Sequence, residues 1–335
     1  MLEDSVLNEK LIKKIVKEKY FIDVKNVLKI NRGSANIYNL DNKYILKEFN
    51  SQKNVEIIIK ECKVINHLKN DGFRVPEYVM TKDGESYFIY SNRIIILQKY
   101  LEGYSVPNNS GDFEDTMESA NILGKLLSSL KKCKLDLKNE CFIKYSDLDD
   151  CISKINKLID GIDDNPYKEK IICDLSMKKE IAEKMKEIDF SEFNNLTIML
   201  CHGDFSVQQF IYNDELGTAV IDFETVGMLP VVWEIIRSYS YIDKDASDGT
   251  FNLKTFILYV KEVMKYITLN KYDLKYMITL YIVQLVGSIF GYKQYIEDHS
   301  KIELLNFGFF RTNMISYLYN NLELITNELM SLAVD

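Results

Sequence analysis

The sequence is short of residues that break a chain or staple it. It has 4 prolines and 14 glycines in 335 residues, and no internal repeat is visible. That leaves little material for low-complexity linkers. Basic residues are not in excess: 42 Lys and Arg stand against 50 Asp and Glu, a formal net charge of -8. A protein built to grip phosphate backbones carries the opposite balance, so nucleic acid is not an expected partner. There are only 3 histidines (His67, His202, His299), and the 6 cysteines (Cys62, Cys133, Cys141, Cys151, Cys173, Cys201) include no C-x-x-C pair. A zinc site is therefore not expected, and scattered thiols suit a reducing cytosol. The opening MLEDSVLNEKLIKKIVKEKY is charged and helical in pattern, unlike a signal peptide. The most apolar long run, MITLYIVQLVGSIF at 277–290, is too short for a bilayer and reads as a buried helix. These absences lead to the expectation of a soluble cytoplasmic protein, monomeric or dimeric, without a membrane partner.

What is present is ordinary globular material, 47% hydrophobic and 27% charged, in a length that suits two lobes with a core each. After the opening helix, VKNVLKINRG, NIYNLD and KYILKEF are short β-type runs separated by turn residues. Residues 54–70 follow with Ile58, Cys62, Ile65 and Leu68 at helical spacing, closed by Asp71-Gly72. Three more strand-like runs come next, PEYVMT, SYFIYS and RIIILQKYL. The expected order is β-β-β-α-β-β over residues 1–97, the order of a nucleotide-holding lobe. A C-terminal lobe is expected over residues 98–335; from Asn108 its pattern turns helical, with helices predicted at 113–133, 147–160 and 168–188 and again from about Val232 onward. One stretch breaks that habit: TIMLC–QQFIY and TAVIDF, joined by NDELG, are strand-like.

That stretch also carries the chemistry. Asp204 in CHGDF and Asp222 in VIDFE sit at the ends of β-type runs. A divalent metal on nucleotide phosphates needs hard oxygen ligands, usually one or two carboxylates. A hydroxyl attacking phosphorus needs a separate carboxylate to orient it and take its proton. Two acids in different surroundings can divide those tasks, although either alone reads more readily as a turn or cap residue. The spacing decides: H-G-D-x-x-x-x-Q runs from His202 to Gln209, and I-D-F-E begins a set in which Asp222 follows Asp204 by 18 residues.

This set resembles the H-G-D-x-x-x-x-N and I-D-[FW]-[DE] pair of the aminoglycoside phosphotransferase family, which also holds choline, homoserine and methylthioribose kinases. IDFETVGMLPVVWEI continues the likeness, with the family's glycine at Gly227 and its W-[DE] at Trp233-Glu234. The resemblance implies an α+β, bilobal protein-kinase-like fold. It implies a small N-terminal lobe of antiparallel sheet plus helix, and a larger, mostly helical C-terminal lobe. By the same resemblance Asp204 is the catalytic carboxylate, Asp222 and Gln209 hold Mg²⁺, and ATP or GTP is the co-substrate. Lys47 in YILKEF takes the place of the strand lysine on the phosphates. Glu61 matches the helix glutamate that holds this lysine, with Glu56 a substitute of poorer register. RGSANIY supplies a thin phosphate loop (Gly33, Ser34, Ala35, Asn36). LQKYLEG matches the family's connector, so adenine would bond to backbone at Gln98, Lys99 and Tyr100, with Ile96 or Leu97 packing nearby. His202 is expected to organise the catalytic loop and Glu224 to support the metal site. Trp233 and Glu234 are expected to anchor the segment after Asp222, with Arg237 pairing to Glu234 one helix turn away. His67 and His299 read as surface residues.

One position departs from the pattern. Gln209 stands where the family has asparagine, and the extra methylene shifts the amide by ~1 Å or more at a metal that tolerates little distortion. Gln208 is an alternative ligand. The expected activity is that of a small-molecule kinase acting on a hydroxyl, with aminoglycosides the leading acceptor class and choline or homoserine chemically allowed. The negative balance and the acids Asp243, Asp245, Asp248, Glu262 and Glu297 are compatible with a cationic acceptor. The alternative is a catalytically weak relative, a nucleotide binder or spore-coat-type scaffold.

Overall fold

The computed structural model describes residues 3–30, 35–135 and 147–333. Its contacts divide into two units: Met1–Ser105 with Lys132–Asp136 and Gln209–Val226, and Val106–Lys131 with Leu137–Gln208 and Gly227–Asp335.

The first unit opens with α1 (Glu9–Tyr20), which starts where the Asn8 side chain accepts the Leu11 N–H and buries Ile12, Ile15, Val16 and Tyr20. Then come β1 (Val27–Ile30), β2 (Asn36–Leu40), β3 (Tyr44–Glu48), α2 (Val55–Asn70), β4 (Phe88–Tyr90) and β5 (Arg93–Lys99). The five strands form one antiparallel sheet in the order β1-β2-β3-β5-β4. Asp41, Asn42, Ser91 and Asn92 all take positive φ in the tight turns that join β2 to β3 and β4 to β5, a conformation that Asn and Asp tolerate better than most residues. PEYVMT is not a strand: only Tyr78 bridges to Gln98. Pro76 has no N–H to extend the pairing, and the chain turns away at Thr81, whose carbonyl accepts the Gly84 N–H.

Side chains alternate across the sheet. Tyr38, Leu40, Leu46, Ile95 and Leu97 join Ile12, Ile15, Val16 and Tyr20 of α1 in one core. Lys47, adjacent to Leu46, therefore takes the other face, where β5 sets Ile96 opposite Lys47 and Gln98 opposite Ile45.

The second unit contributes α3 (Phe113–Leu130), α4 (Leu148–Asp160), α5 (Lys168–Met185) and β6 (Ile198–Cys201). Residues 209–226, which cluster with the first unit, form the small hairpin β7 (Phe210–Ile211) and β8 (Ala219–Val220). The second unit resumes with β9 (Gly227–Pro230), antiparallel to β6, and then α6 (Val231–Ile242), α7 (Leu253–Met264), α8 (Lys271–Val286), α9 (Phe290–Glu297), α10 (Ile302–Asn320) and α11 (Leu322–Met330). The helical stretch 271–297 is long and apolar enough for a membrane span, which corrects the length expectation. The buried-helix reading stands: Leu274, Met277, Ile278, Ile282, Val283 and Leu285 of α8 are all buried in the unit. Asp273, fully buried, ties α8 to β6 by accepting the Thr197 N–H at 2.8 Å and hydroxyl at 2.6 Å.

Candidate functional site

The first unit holds Lys47, Glu61, Asp222 and Glu224 among the charged residues singled out from sequence. Asn54 caps α2 and sets its register. That register turns Glu61 inward with Ile58, Cys62 and Ile65, so the carboxylate is 1% exposed. Burial pushes its pKa up; Lys47 and, less strongly, the Tyr78 hydroxyl pull it back, and Asp222 and Glu224 push it further. Glu61 thus senses Lys47, Asp222 and Glu224, all within one unit. Lys47 forms no ion pair as close as a salt bridge among the described residues, and one Glu61 oxygen has no hydrogen-bond partner. The Tyr78 hydroxyl lies beside this carboxylate, close enough to act on it but outside good hydrogen-bond geometry, and the Gln98 side-chain nitrogen is buried without a partner. Orphan polar atoms this deep are rare in folded proteins and concentrate where a ligand completes them. Glu56, in the first turn of α2, is not buried, so Glu61 is the residue placed to face Lys47.

This geometry carries a stability expectation. A glutamate whose folded pKa is raised contributes most below its unfolded pKa, and that contribution is lost as pH rises through the folded value. Glu61→Gln should therefore stabilise the ligand-free protein at neutral pH by about 1–2 kcal/mol, with no gain under acid conditions. Melting temperatures measured across pH check this. Equal melting of variant and parent at neutral pH would show that Lys47 already neutralises the carboxylate.

Asp222 follows β8 with φ 68°, a left-handed conformation that puts it at the head of a short 3-10 turn, Phe223–Thr225. The Ile221 N–H donates to the Gln209 carbonyl at 2.9 Å, extending the β7–β8 ladder and setting Gln209 across from the residue before Asp222. Glu224 accepts from Lys53 at 2.5 Å, and Lys60 donates to the Val226 carbonyl, so both α2 and the segment before it clasp the Asp222 turn. Arg74, a residue that carried no sequence signal, clamps the hairpin: its guanidinium donates to the carbonyls of Gly217 (2.9 Å), Ile211 (3.3 Å) and Glu102. Gly103 lies close against the Tyr212 carbonyl at φ 143°, where a side chain would not fit. Ala35 is buried and Asn36 opens β2, its amide donating to the Glu3 carbonyl at 3.0 Å. Gly33 and Ser34 lie outside the described residues. Leu97 is in the α1 core, Gln98 is buried, Lys99 pairs with Glu77, and Tyr100 donates its N–H to the Lys43 carbonyl.

In the second unit β6 delivers His202, Gly203 and Asp204. Gly203 takes φ 84°, which turns the backbone so that two successive N–H groups point at one acceptor. Glu234 is that acceptor: fully buried on α6, it takes the His202 N–H at 2.8 Å and the Gly203 N–H at 2.6 Å. Burial raises its pKa, opposed by His202, by these two bonds and by Arg237. His202 is buried, and its Nδ1 accepts the Asp204 N–H at 3.3 Å, an organising role. Arg237 does not close an ion pair with Glu234, as its spacing had suggested. Both Glu234 oxygens are occupied by the loop, and Arg237 pairs with Asp204 while also donating to the Phe205 carbonyl at 3.1 Å. Trp233 packs under that guanidinium, its centroid 5.6 Å away.

The acids offered for a cationic acceptor are committed elsewhere. Asp243 is buried and takes the Tyr239 hydroxyl at 2.6 Å; Asp245 takes Asn252, Asp248 takes Thr250, Glu262 takes Lys265 and Asn121, and Glu297 takes Gln294. For a metal, the candidates are hard oxygens, the Asp222 carboxylate and the Gln209 amide, a donor set that suits Mg²⁺ or Ca²⁺ and not a soft ion. No group of three His, Cys, Asp or Glu that could cage an ion exists among the described residues. A metal shared with nucleotide phosphates needs no such cage. Gln208 is exposed.

Comparison with known proteins bears on the family and the fold. The family model described as "Phosphotransferase enzyme family" matches residues 27–252. No curated protein matches significantly. Solved structures do. An amicoumacin kinase in complex with AMP-PNP, Ca²⁺ and Ami aligns at TM-score 0.64 and 13% identity over 92% of this chain and 94% of that one. A spectinomycin phosphotransferase with ADP and spectinomycin gives 0.66 at 17%, over 97% and 100%. A microcompartment-associated aminopropanol kinase gives 0.67 at 12%, over 96% and 100%. At such identities the likeness establishes the mixed α+β, kinase-like fold.

Proposed function

Because this chain belongs to the phosphotransferase enzyme family, we propose that it is a small-molecule kinase that moves the γ-phosphate of ATP or GTP to an acceptor hydroxyl. The observation that carries this reading is the buried Glu61 carboxylate, left with a bare oxygen while sensing both Lys47 and Asp222. A merely structural glutamate at that depth would be satisfied. In this reading Lys47 holds the nucleotide phosphates and Glu61 orients Lys47. The loop of Gly33, Ser34, Ala35 and Asn36 covers the phosphates, and the Gln98–Tyr100 backbone receives the base. Asp222 with Gln209 would hold Mg²⁺, which when bound neutralises phosphate charge. Asp204 orients the acceptor hydroxyl and takes its proton, on a loop that Glu234 and His202 hold rigid. Most of the acceleration comes from positioning and preorganised charge.

Supported acceptors at this level are hydroxylated small molecules, the class to which spectinomycin and aminopropanol belong. The reading is tested by ADP release against aminoglycosides, macrolides, choline and amino alcohols, alongside melting with ATP and Mg²⁺. Absence of nucleotide protection at millimolar ATP would move the protein to the scaffold class, the reading that Gln209 favours. The same assay probes that residue. Gln209→Asn, which brings the amide back to the family's length, should lower the Mg²⁺ needed for half-maximal ATP protection by roughly tenfold. An unchanged Mg²⁺ requirement would remove Gln209 from the ligand set.

A further inference from the structure

The helices of the second unit hold charges that phosphoryl transfer to a neutral or cationic acceptor leaves unexplained. Arg311, half-buried on α10, donates from Nε to the Tyr241 hydroxyl at 3.1 Å and from Nη1 to the Ser288 hydroxyl at 2.8 Å. Its guanidinium lies 4.4 Å from the centroid of Phe307. These partners are all neutral, and among the described residues no carboxylate closes an ion pair with Arg311. The carboxylate it senses is Asp204, whose own ion-pair partner is Arg237. The carbonyl of the same Ser288 accepts from Lys178, fully buried on α5, whose ammonium pKa is pushed down to about 7 by burial first and by Arg311 second. The carboxylate that Lys178 senses, Asp174, takes the Tyr292 hydroxyl at 2.8 Å. A half-buried guanidinium with no closed ion pair of its own keeps donor capacity that an arriving anion can take.

Two more observations point the same way. The Tyr281 hydroxyl is 1% exposed; it lies beside the Ser240 hydroxyl but outside good hydrogen-bond geometry, with Tyr241, Arg311 and Arg237 also its neighbours. The aromatic faces that would otherwise welcome an ammonium group already carry cations: Arg237 lies 5.6 Å over Trp233 and 5.1 Å over Tyr241, and Arg311 covers Phe307. An ammonium group placed there would add a third positive charge to two guanidiniums.

We propose that the acceptor is an anionic hydroxy compound whose carboxylate or phosphate pairs with Arg311, with the Tyr281 hydroxyl as a further donor, while its hydroxyl is presented to Asp204. This rests on the kinase reading above and specifies its substrate class. In the transfer, the acceptor oxygen bonds to the γ-phosphorus as the bridging P–O bond to the β-phosphate breaks. The hydroxyl proton passes to Asp204, and the nucleoside diphosphate leaves with the electron pair of the broken bond.

The test uses two matched acceptor sets at equal concentration with ATP and Mg²⁺. One is glycerate, glycerol 3-phosphate, glycerol and 3-amino-1,2-propanediol; the other is gluconate, glucose 6-phosphate, glucose and glucosamine. Expected is a kcat/KM for the carboxylate or the phosphate members at least about tenfold above their neutral partners, with the amines lowest. The carboxylate and phosphate arms distinguish which oxyanion is preferred. Arg311→Gln should raise the anionic acceptor's KM by about 30-fold while kcat and the KM for ATP change less than about twofold, and Arg311→Lys should recover part of the loss. Preference for neutral or amino acceptors, or an Arg311→Gln profile equal to the parent's, overturns the inference. Transfer to no member while ATP still raises the melting temperature overturns it too and leaves nucleotide binding standing. Absence of any ATP protection instead removes the kinase reading itself.

Discussion

Asp204→Asn should lower phosphoryl transfer on the order of a thousandfold while leaving the ATP-dependent rise in melting temperature unchanged. The size follows from what is removed. Asparagine keeps the shape of the side chain and still offers an oxygen to Arg237, but it cannot accept the acceptor's proton. Asp204 sits in the second unit, on a loop whose backbone is held by Glu234 and His202. Lys47, Glu61, Asp222 and Gln209 all belong to the first. In the proposed reading nucleotide affinity and proton acceptance fall to different parts of the chain and should separate cleanly on mutation. Alanine is the poorer probe, because it would strip Arg237 of its carboxylate and leave it only the Phe205 carbonyl. Parent-level turnover in Asp204→Asn, read by labelled phosphate on the acceptor, would remove Asp204 from its assigned role.

The parts of this site that were legible in sequence are those fixed by local periodicity. Helical spacing from Ile58 to Leu68 sets which side of α2 is buried, and Glu61 rides on that register. Strand alternation around Leu46 puts Lys47 on the face opposite the α1 core. The glycine between His202 and Asp204 signals a backbone turn. What was not legible are pairings made across long stretches of chain. Arg237 is 3 residues from Glu234 in sequence and 33 from Asp204, yet it pairs with the latter. Spacing along a helix shows who can reach whom, not whose acceptors are already filled. The same holds for Arg74, which clamps residues 137 and 143 positions away. It holds for the Arg311, Ser288 and Lys178 group, assembled from α5, α10 and the end of α8. PEYVMT failed for a different reason: its composition is that of a strand, but Pro76 removes a donor and the turn at Thr81 ends the pairing early.

Two buried glutamates, both with pKa raised by burial, should respond to mutation in opposite senses. Glu234 has each oxygen satisfied by a loop N–H. Glu234→Ala leaves both buried donors without an acceptor, and hydrogen bonds to a charged group contribute ~1.5–3 kcal/mol each. A loss of about 3–6 kcal/mol follows, or a fall in melting temperature of roughly 6–20 °C for a chain of this size. Activity should vanish with it, because Asp204 is the next residue of the released loop. Glu61, with one oxygen bare, should instead gain stability on neutralisation and lose only nucleotide-dependent function. Burial and pKa direction are the same for the two residues, so the sign of the effect must come from hydrogen-bond satisfaction. The pair of variants, melted with and without ATP, separates a carboxylate that holds the fold from one held in reserve for a ligand. If Glu234→Ala melted with the parent, the loop would owe its shape to Gly203 and the β6–β9 ladder instead of to Glu234. If Glu61→Gln melted far below the parent, Glu61 would belong to the fold and not to the nucleotide.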